Sequence, residues 1–409
     1  MKNVLKVFLG ILTAIGGFVD IGDLVANAVV GARFGLSLAW VVVVGVVGIC
    51  LYAEMSGRVA AVTGRGTFDL VRERLGPRAG LANLVASTFV TFLTLGAEIG
   101  GVALALELAT SVSYLLFVPL IAFLVWFVIW RMPFEKMEQA FGLAGLALLV
   151  FAVALWQLGP DWNELLRQAT HPSVPDGEGH PTYLFYAISL FGAAMTPYEV
   201  FFFSSGAVEE GWSRKDLRTE RVNVYLGFPL GGLLSLAIAG VAALVLLPQG
   251  IEVDHLDQVA LPIVMSLGKV GLAFAIVGFV AATFGAALET ALSTGYSLAQ
   301  YLGWQWGKRT APKEASRFHA VILVSVVLGA MLILTTLDPV KVTEYSLVFS
   351  AVALPLTYFP ILVVANDPDY MGESVNGRVV NALGTAYLIL LTVVAIVAIP
   401  LMIATKAGQ

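Results

Sequence analysis

Charge is what this sequence has least of. Asp, Glu, Lys and Arg supply 12% of its 409 residues, about half the share of an ordinary soluble domain, which excludes a water-facing surface over most of the chain. Cysteine is nearly absent. Cys50 alone excludes an internal disulfide and any thiolate metal cluster, and its apolar neighbours make it a packed thiol. Histidine occurs four times, three of them in two loops, and no His-Glu-x-x-His spacing exists, so an intramembrane enzyme has no base or metal constellation to work with. Strand-like alternation is missing too, which excludes a β-barrel.

What remains is apolar: 58% of residues are hydrophobic and the mean hydropathy is +0.88. Runs of about 20 apolar residues, separated by short polar loops, meet the length a helix needs to cross hydrocarbon. The chain reads as an all-α polytopic membrane protein of one domain, with helices expected near 5–31, 38–56, 80–109, 113–130, 136–157, 181–207, 222–248, 260–303, 317–336, 343–365 and 378–404. The first run follows Lys2 and Lys6 like a signal peptide, but its length, its lack of a cleavage site and its two aspartates mark a retained span. The eighth is long for one crossing and is expected to tilt or to extend past the bilayer.

With the N-terminus inside, eighteen of the 23 Lys and Arg fall in inside segments and five outside, which places the chain in the cytoplasmic membrane with its C-terminus outside. Two outside loops, 159–182 and 251–258, are acidic; they are either plain solvated loops or a vestibule that concentrates cations. The inside stretch "RGTFDLVRERLGPR" (65–78) is a basic amphipathic piece suited to lipid headgroups rather than nucleic acid.

Ionisable groups within spans are costly, so those present are candidates for function: Asp20, Asp23, Glu98, Glu199 and Glu289, with Lys269 nearer an outer end. Carboxylates with almost no basic partner call for protons, water or a bound cation, and the cation is the economical answer. "GGFVDIGDLVAN" (16–27) also matches "FGAAMTPYEVFF" (191–202). An offset of 176 puts Asp20 on Thr196, Ile21 on Pro197, Gly22 on Tyr198 and Asp23 on Glu199. Glycine weakens a helix and proline removes a donor, so both spans are expected to break there, as the substrate-binding helices of transporters do.

Carboxylates, a threonine hydroxyl and freed carbonyls are hard oxygen ligands, and Met195 is turned about 100° from Thr196 on a helix. The order of preference is therefore Mg²⁺, then Mn²⁺. Competing roles are open for several groups. Asp20 or Asp23 can be a helix cap at a kink, Glu98 and Glu289 can be interhelical hydrogen-bond partners, and Tyr198 suits packing or gating. Glu54 and Glu107, near span ends, are expected to be solvated.

These residues carry a likeness. "DIGDLVANAVVGARFGLSLAW" resembles the first-helix motif of the NRAMP divalent-metal transporters, Asp-Pro-Gly-Asn followed by Gly-Ala-x-Phe-Gly. "TPYEVFFFSS" is similar to their sixth-helix Met-Pro-His-Asn with its Ser-Ser pair, and "DYMGESVNGRVVNALG" (369–384) to the stretch leading into their last helix. The resemblance implies a leucine-transporter-type fold of two inverted five-helix repeats (about 5–157 and 181–365) plus an eleventh helix (378–404).

Departures from the family pattern are as informative. Thr196 replaces a metal-selecting methionine, Tyr198 a histidine, and Glu199 and Asp23 replace asparagines. Leu95 stands where the family has an acidic proton-route residue, and Ala351 where it has a site glutamine. These changes resemble the NRAMP-related magnesium transporters, a branch for which no proton coupling is expected. The implied site has Asp20 and Asp23 as principal metal ligands. Thr196 and the Ala193 carbonyl bind directly or through water, Glu199 bridges through water, and Gly22, Tyr198, Glu98 and Glu289 lie around the site or along the path.

The expectation is a carrier, not an enzyme, and a monomer without a resident cofactor. Its cargo is Mg²⁺, with Mn²⁺ alongside, moved by alternating access without protons. The alternatives are a proton-coupled Mn²⁺/Fe²⁺ transporter, an amino-acid carrier of the same fold and a pore channel. Carboxylates in place of exposed helix amides disfavour the amino-acid carrier, and two unlike broken helices disfavour the channel.

Overall fold

The computed structural model describes residues 18–175 and 177–408. Its elements are helices and turns, with no strand among the described residues: α1 (Ile21–Phe34), α2 (Ala39–Thr63), α3 (Thr67–Leu75), α4 (Pro77–Thr110), α5 (Tyr114–Arg131) and α6 (Phe134–Gly145). A 3₁₀ turn at Leu146–Leu149 joins α6 to α7 (Val150–Gln157). Then follow α8 (Trp162–Thr170), α9 (His180–Ala194), α10 (Pro197–Glu209), α11 (Leu217–Val245), α12 (Leu256–Leu302), α13 (Ser316–Leu334), α14 (Pro339–Ala365), α15 (Pro368–Met371) and α16 (Arg378–Ala404).

Among the described residues, ten stretches are long and apolar enough to cross a membrane, and they coincide with the second to eleventh helices expected from sequence. The first expected helix, 5–31, is described only from residue 18; its second half is α1, and 5–17 lies outside the described residues. The eighth, expected to tilt or to extend past the bilayer, runs over Leu256–Leu302 and is interrupted where Gly268 sits at φ 63°, ψ −153°, which divides it into 256–267 and 269–302. Only glycine reaches that backbone region without a Cβ clash.

The two interrupted helices form the centre of the bundle. Every residue of α1 except Arg33 is buried, so no face of it meets lipid. Two glycines let neighbouring backbones come that close. A Cβ on Gly31 would stand 2.2 Å from the Ala239 carbonyl oxygen of α11, and one on Gly192 would stand 2.4 Å from the Leu347 carbonyl oxygen of α14. Small residues at helix crossings are how membrane helices gain contact when hydrophobicity cannot drive them together. At the periphery, α16 buries only a few positions along one side and turns the rest outward.

The Lys/Arg-rich end holds one correction. Glu54 is not solvated: it is buried and accepts from Arg58 Nε one turn on and Arg221 Nε of α11, both at 3.1 Å. Arg58 also donates to the Ser374 carbonyl and, at 2.5 Å, to Asn376 Oδ1. Two guanidinium groups neutralise the carboxylate, which is what allows it to leave water. The basic segment 65–78 is amphipathic, and its apolar side packs on the bundle. Phe68, Leu70 and Val71 of α3 are fully buried, Thr67 bonds Ser204 of α10, and Arg74 pairs with Asp367.

Candidate metal centre

The site begins with how two helices start. Asp20 is the N-cap of α1, in extended backbone at φ −99°, ψ −172°, and its Oδ1 accepts from Asp23 N at 2.9 Å. Thr196 is the N-cap of α10, also extended, with Pro197 in the first helical position. The internal match read from the sequence is therefore a structural equivalence. Asp20 and Thr196 are both caps, and Asp23 and Glu199 both stand three residues into the half-helix that follows.

The break also frees an acceptor. In an unbroken helix the Ala193 carbonyl would accept from the amide four residues later, but that residue is Pro197, which has no N–H. Helix α9 accordingly stops at Ala194. Its neighbours brace the gap: Ser350 of α14 donates to the Gly192 carbonyl at 3.2 Å, and Ser293 of α12 donates to the Tyr198 carbonyl at 3.2 Å. The C-terminal end of α9 thus points partial negative charge at a region already rich in carboxylates.

Asp20 is the hub. Its Oδ2 accepts from the Tyr198 hydroxyl at 3.0 Å, and Asp23, Glu98, Glu199 and Glu289 all lie within electrostatic range of it. Glu98 Oε1 accepts from Ile21 N at 3.2 Å, so the first amides of α1 are met by Asp20 and Glu98. Asp23 Oδ1 accepts from Asn27 Nδ2 at 3.2 Å and Ser235 Oγ of α11 at 3.3 Å. Three carboxylate oxygens, Asp23 Oδ2, Glu98 Oε2 and Glu199 Oε2, are buried with no hydrogen-bond partner. The Thr196 hydroxyl, next to Glu199, completes no well-formed hydrogen bond.

Asp20, Asp23, Glu98, Ala193, Thr196 and Glu199 are each no more than 6% exposed, so the site is closed to solvent. Gly22 belongs to the same enclosure, because a Cβ there would lie 2.9 Å from both Asp20 Oδ1 and a Leu347 methyl. Glu289, on α12, is half-buried at the margin. Met195 turns elsewhere: its sulfur packs on α2, 2.6 Å from where a Cβ on Gly48 would be. The donors facing the centre are therefore oxygens. Among the described residues, no three Asp, Glu, His or Cys side chains converge tightly enough to hold a bare ion.

Sequence reasoning missed four polar residues that shape this centre: Asn27, Ser235, Ser293 and Ser350. Asn27 carried a signal, standing four residues after Asp23 and therefore on the same face of the helix. The three serines carried none, since their roles depend on which helix packs opposite. Tyr198, expected to pack or gate, also serves as the hydrogen-bond donor to Asp20.

Residues 10–400 match the model of the family described as natural resistance-associated macrophage protein-like. The divalent metal cation transporter MntH of Pectobacterium carotovorum is 24% identical over 384 residues, covering 91% of this chain and 89% of that protein. The protein of the same name from Klebsiella pneumoniae is 25% identical over 383 residues, covering 90% and 88%. In three dimensions the chain is similar to a mutant of the manganese transporter of Eremococcus coleocola, with a TM-score of 0.78 at 17% identity, covering 98% of this chain and 87% of the other. It is also similar to Mhp1, a nucleobase-cation-symport-1 family transporter in a closed conformation with bromovinylhydantoin bound, with a TM-score of 0.63 at 15% identity over 98% and 91% of the two chains. At these identities the likeness carries the fold, which is the leucine-transporter-type arrangement expected from the sequence.

Proposed function

The chain belongs to the Nramp family, and from that premise we propose that it carries divalent metal cations across the cytoplasmic membrane, with Mg²⁺ as main cargo and Mn²⁺ second. The observation that carries this reading is the donor set at the two helix breaks. Buried carboxylates, a threonine hydroxyl and the carbonyl freed by Pro197 are hard ligands, and the nearby thioether of Met195 faces away. Hard oxygen donors of this kind suit a cation that dehydrates reluctantly and keeps several waters. Mn²⁺ has independent support as a second cargo, since one of the structural relatives is a manganese transporter.

Transport proceeds by alternating access and without a coupled proton. Leu95, where an acidic relay would be expected, is fully buried and packs beside Gly329 of α13, so α4 offers no proton acceptor at that position. Coupling is also unnecessary. Two charges gain about 4.6 kcal/mol per 100 mV of inside-negative potential, enough for roughly 2,000-fold accumulation. The N-terminus lies inside and the C-terminus outside, from the Lys and Arg distribution. Residues 5–157 and 181–365 act as inverted halves, an assignment supported by the equivalence of Asp20 with Thr196, and 378–404 is an added helix. The carrier works as a monomer.

The test is uptake of Mg²⁺ and Mn²⁺ into vesicles holding the full chain, beside Ca²⁺ and an amino-acid panel, for wild type and Asp20→Ala. Metal uptake that D20A abolishes is expected. Metal uptake by D20A at the wild-type rate removes Asp20 from the site, and amino-acid uptake would replace the reading altogether.

A further inference from the structure

On the lipid-facing side, between α6–α7 and α12, lies a cleft of about 750 Å³ lined by apolar residues, including Ala144, Ala147, Val153, Phe274 and Val277. Two irregularities flank it: the 3₁₀ turn Leu146–Leu149 lies in one wall, and the backbone turn at Gly268 interrupts the helix that forms the other. The helices still touch behind it, where a Cβ on Gly278 would meet Leu148 at 2.7 Å, so the cleft has a floor and does not lead into the ion site.

Its depth and its mouth identify what fills it. The wall from residue 143 to 153 rises roughly 15–17 Å, which is about half of a ~30 Å hydrocarbon core and hence the depth of one leaflet. The mouth is polar: Gln157 Nε2 bonds the Ser266 carbonyl at 2.9 Å, and Lys269 stands exposed beside them. At the same end of the bundle Arg33 and Arg167 are held by Glu178 and Glu164, whereas Lys269 pairs with no carboxylate among the described residues.

We propose that this cleft binds one acyl chain of an anionic phospholipid, with the lipid phosphate over Lys269. The apolar walls take the chain along one leaflet and the unpaired ammonium selects the headgroup charge. The lipid wedges between α6–α7 and α12 and fills space that the two helices leave open.

The experiment uses the full chain in phosphatidylcholine vesicles containing a trace of phosphatidylglycerol with a photoreactive diazirine in mid-chain, and adducts are mapped by peptide mass spectrometry. Adducts concentrated on 143–153 and 270–277 are expected, with phosphatidylglycerol favoured over an equally labelled phosphatidylcholine by about fivefold, the factor one surface lysine supplies. Ala147→Trp should remove these adducts while leaving those on α5 unchanged, and Lys269→Glu should abolish the headgroup preference. Adducts spread evenly around the lipid-facing surface would overturn the proposal, as would an unchanged preference in K269E. Disulfide-linked dimers of A147C would also overturn it, by assigning the cleft to a second copy. If A147W fails to fold, the wild-type distribution and the exposed K269E variant decide alone.

Discussion

Asp20→Asn separates the charge of Asp20 from its structural work. Asparagine caps a helix as well as aspartate does, so the bond to Asp23 N survives and the stability change stays within about 0.5 kcal/mol. The Tyr198 hydroxyl keeps an acceptor if the amide oxygen turns toward it. What disappears is one negative charge facing a divalent ion. Across about 5 Å, with one water between and an effective dielectric near 20, that attraction is roughly 6–7 kcal/mol.

Stripping part of the ion's own hydration offsets much of it; if a third survives, about 2 kcal/mol, D20N loses at least ~30-fold in affinity. Isothermal titration of Mn²⁺ and Mg²⁺ into purified protein reads the loss, and a thermal melt run beside it checks the cap. A D20N protein that melts like wild type and binds Mn²⁺ within about threefold of it would refute the reasoning, because no divalent ion seated at this hub escapes the missing charge.

Further outcomes follow from other parts of the molecule. Thr196→Met puts a soft thioether at the break and should raise Cd²⁺ affinity by ~10-fold or more while weakening Mg²⁺, read by the same titration; equal effects on both ions would remove Thr196 from the site. Arg58→Ala leaves the buried Glu54 carboxylate with only the exposed Arg221 and should cost about 3 kcal/mol in thermal unfolding. Arg221, half-exposed, should cost at most about 1 kcal/mol on the same change, and equal losses would contradict the buried pairing. Metal entry driven by a K⁺ diffusion potential should leave an internal pH dye unmoved; acidification that tracks Mn²⁺ entry would show that protons are coupled after all.

Much of the fold was legible because hydrophobic length is a strong signal and the loops carry clear punctuation. The ten described spans fall where apolar runs predicted them. The paired breaks were legible for a chemical reason: Gly22 and Pro197 are residues a continuous helix avoids, and oxygen-bearing side chains repeat around them at one offset. Position along a helix could not reveal partners across the bundle. Ser235, Ser293 and Ser350 look like any membrane serine until α11, α12 and α14 are packed. Glu54 misled because its neutralising partners include Arg221, 167 residues away, and the break at Gly268 was hidden because a glycine in a long apolar run gives no hint of its φ.

The most direct measurement is the anomalous scattering of Mn²⁺ in crystals of the full chain. One strong peak is expected beside Asp20 and Asp23, within water-bridged reach of Glu199, Thr196 and the Ala193 carbonyl. Sole peaks at the acidic loops 159–182 or 251–258, with none at the helix breaks, would contradict the account.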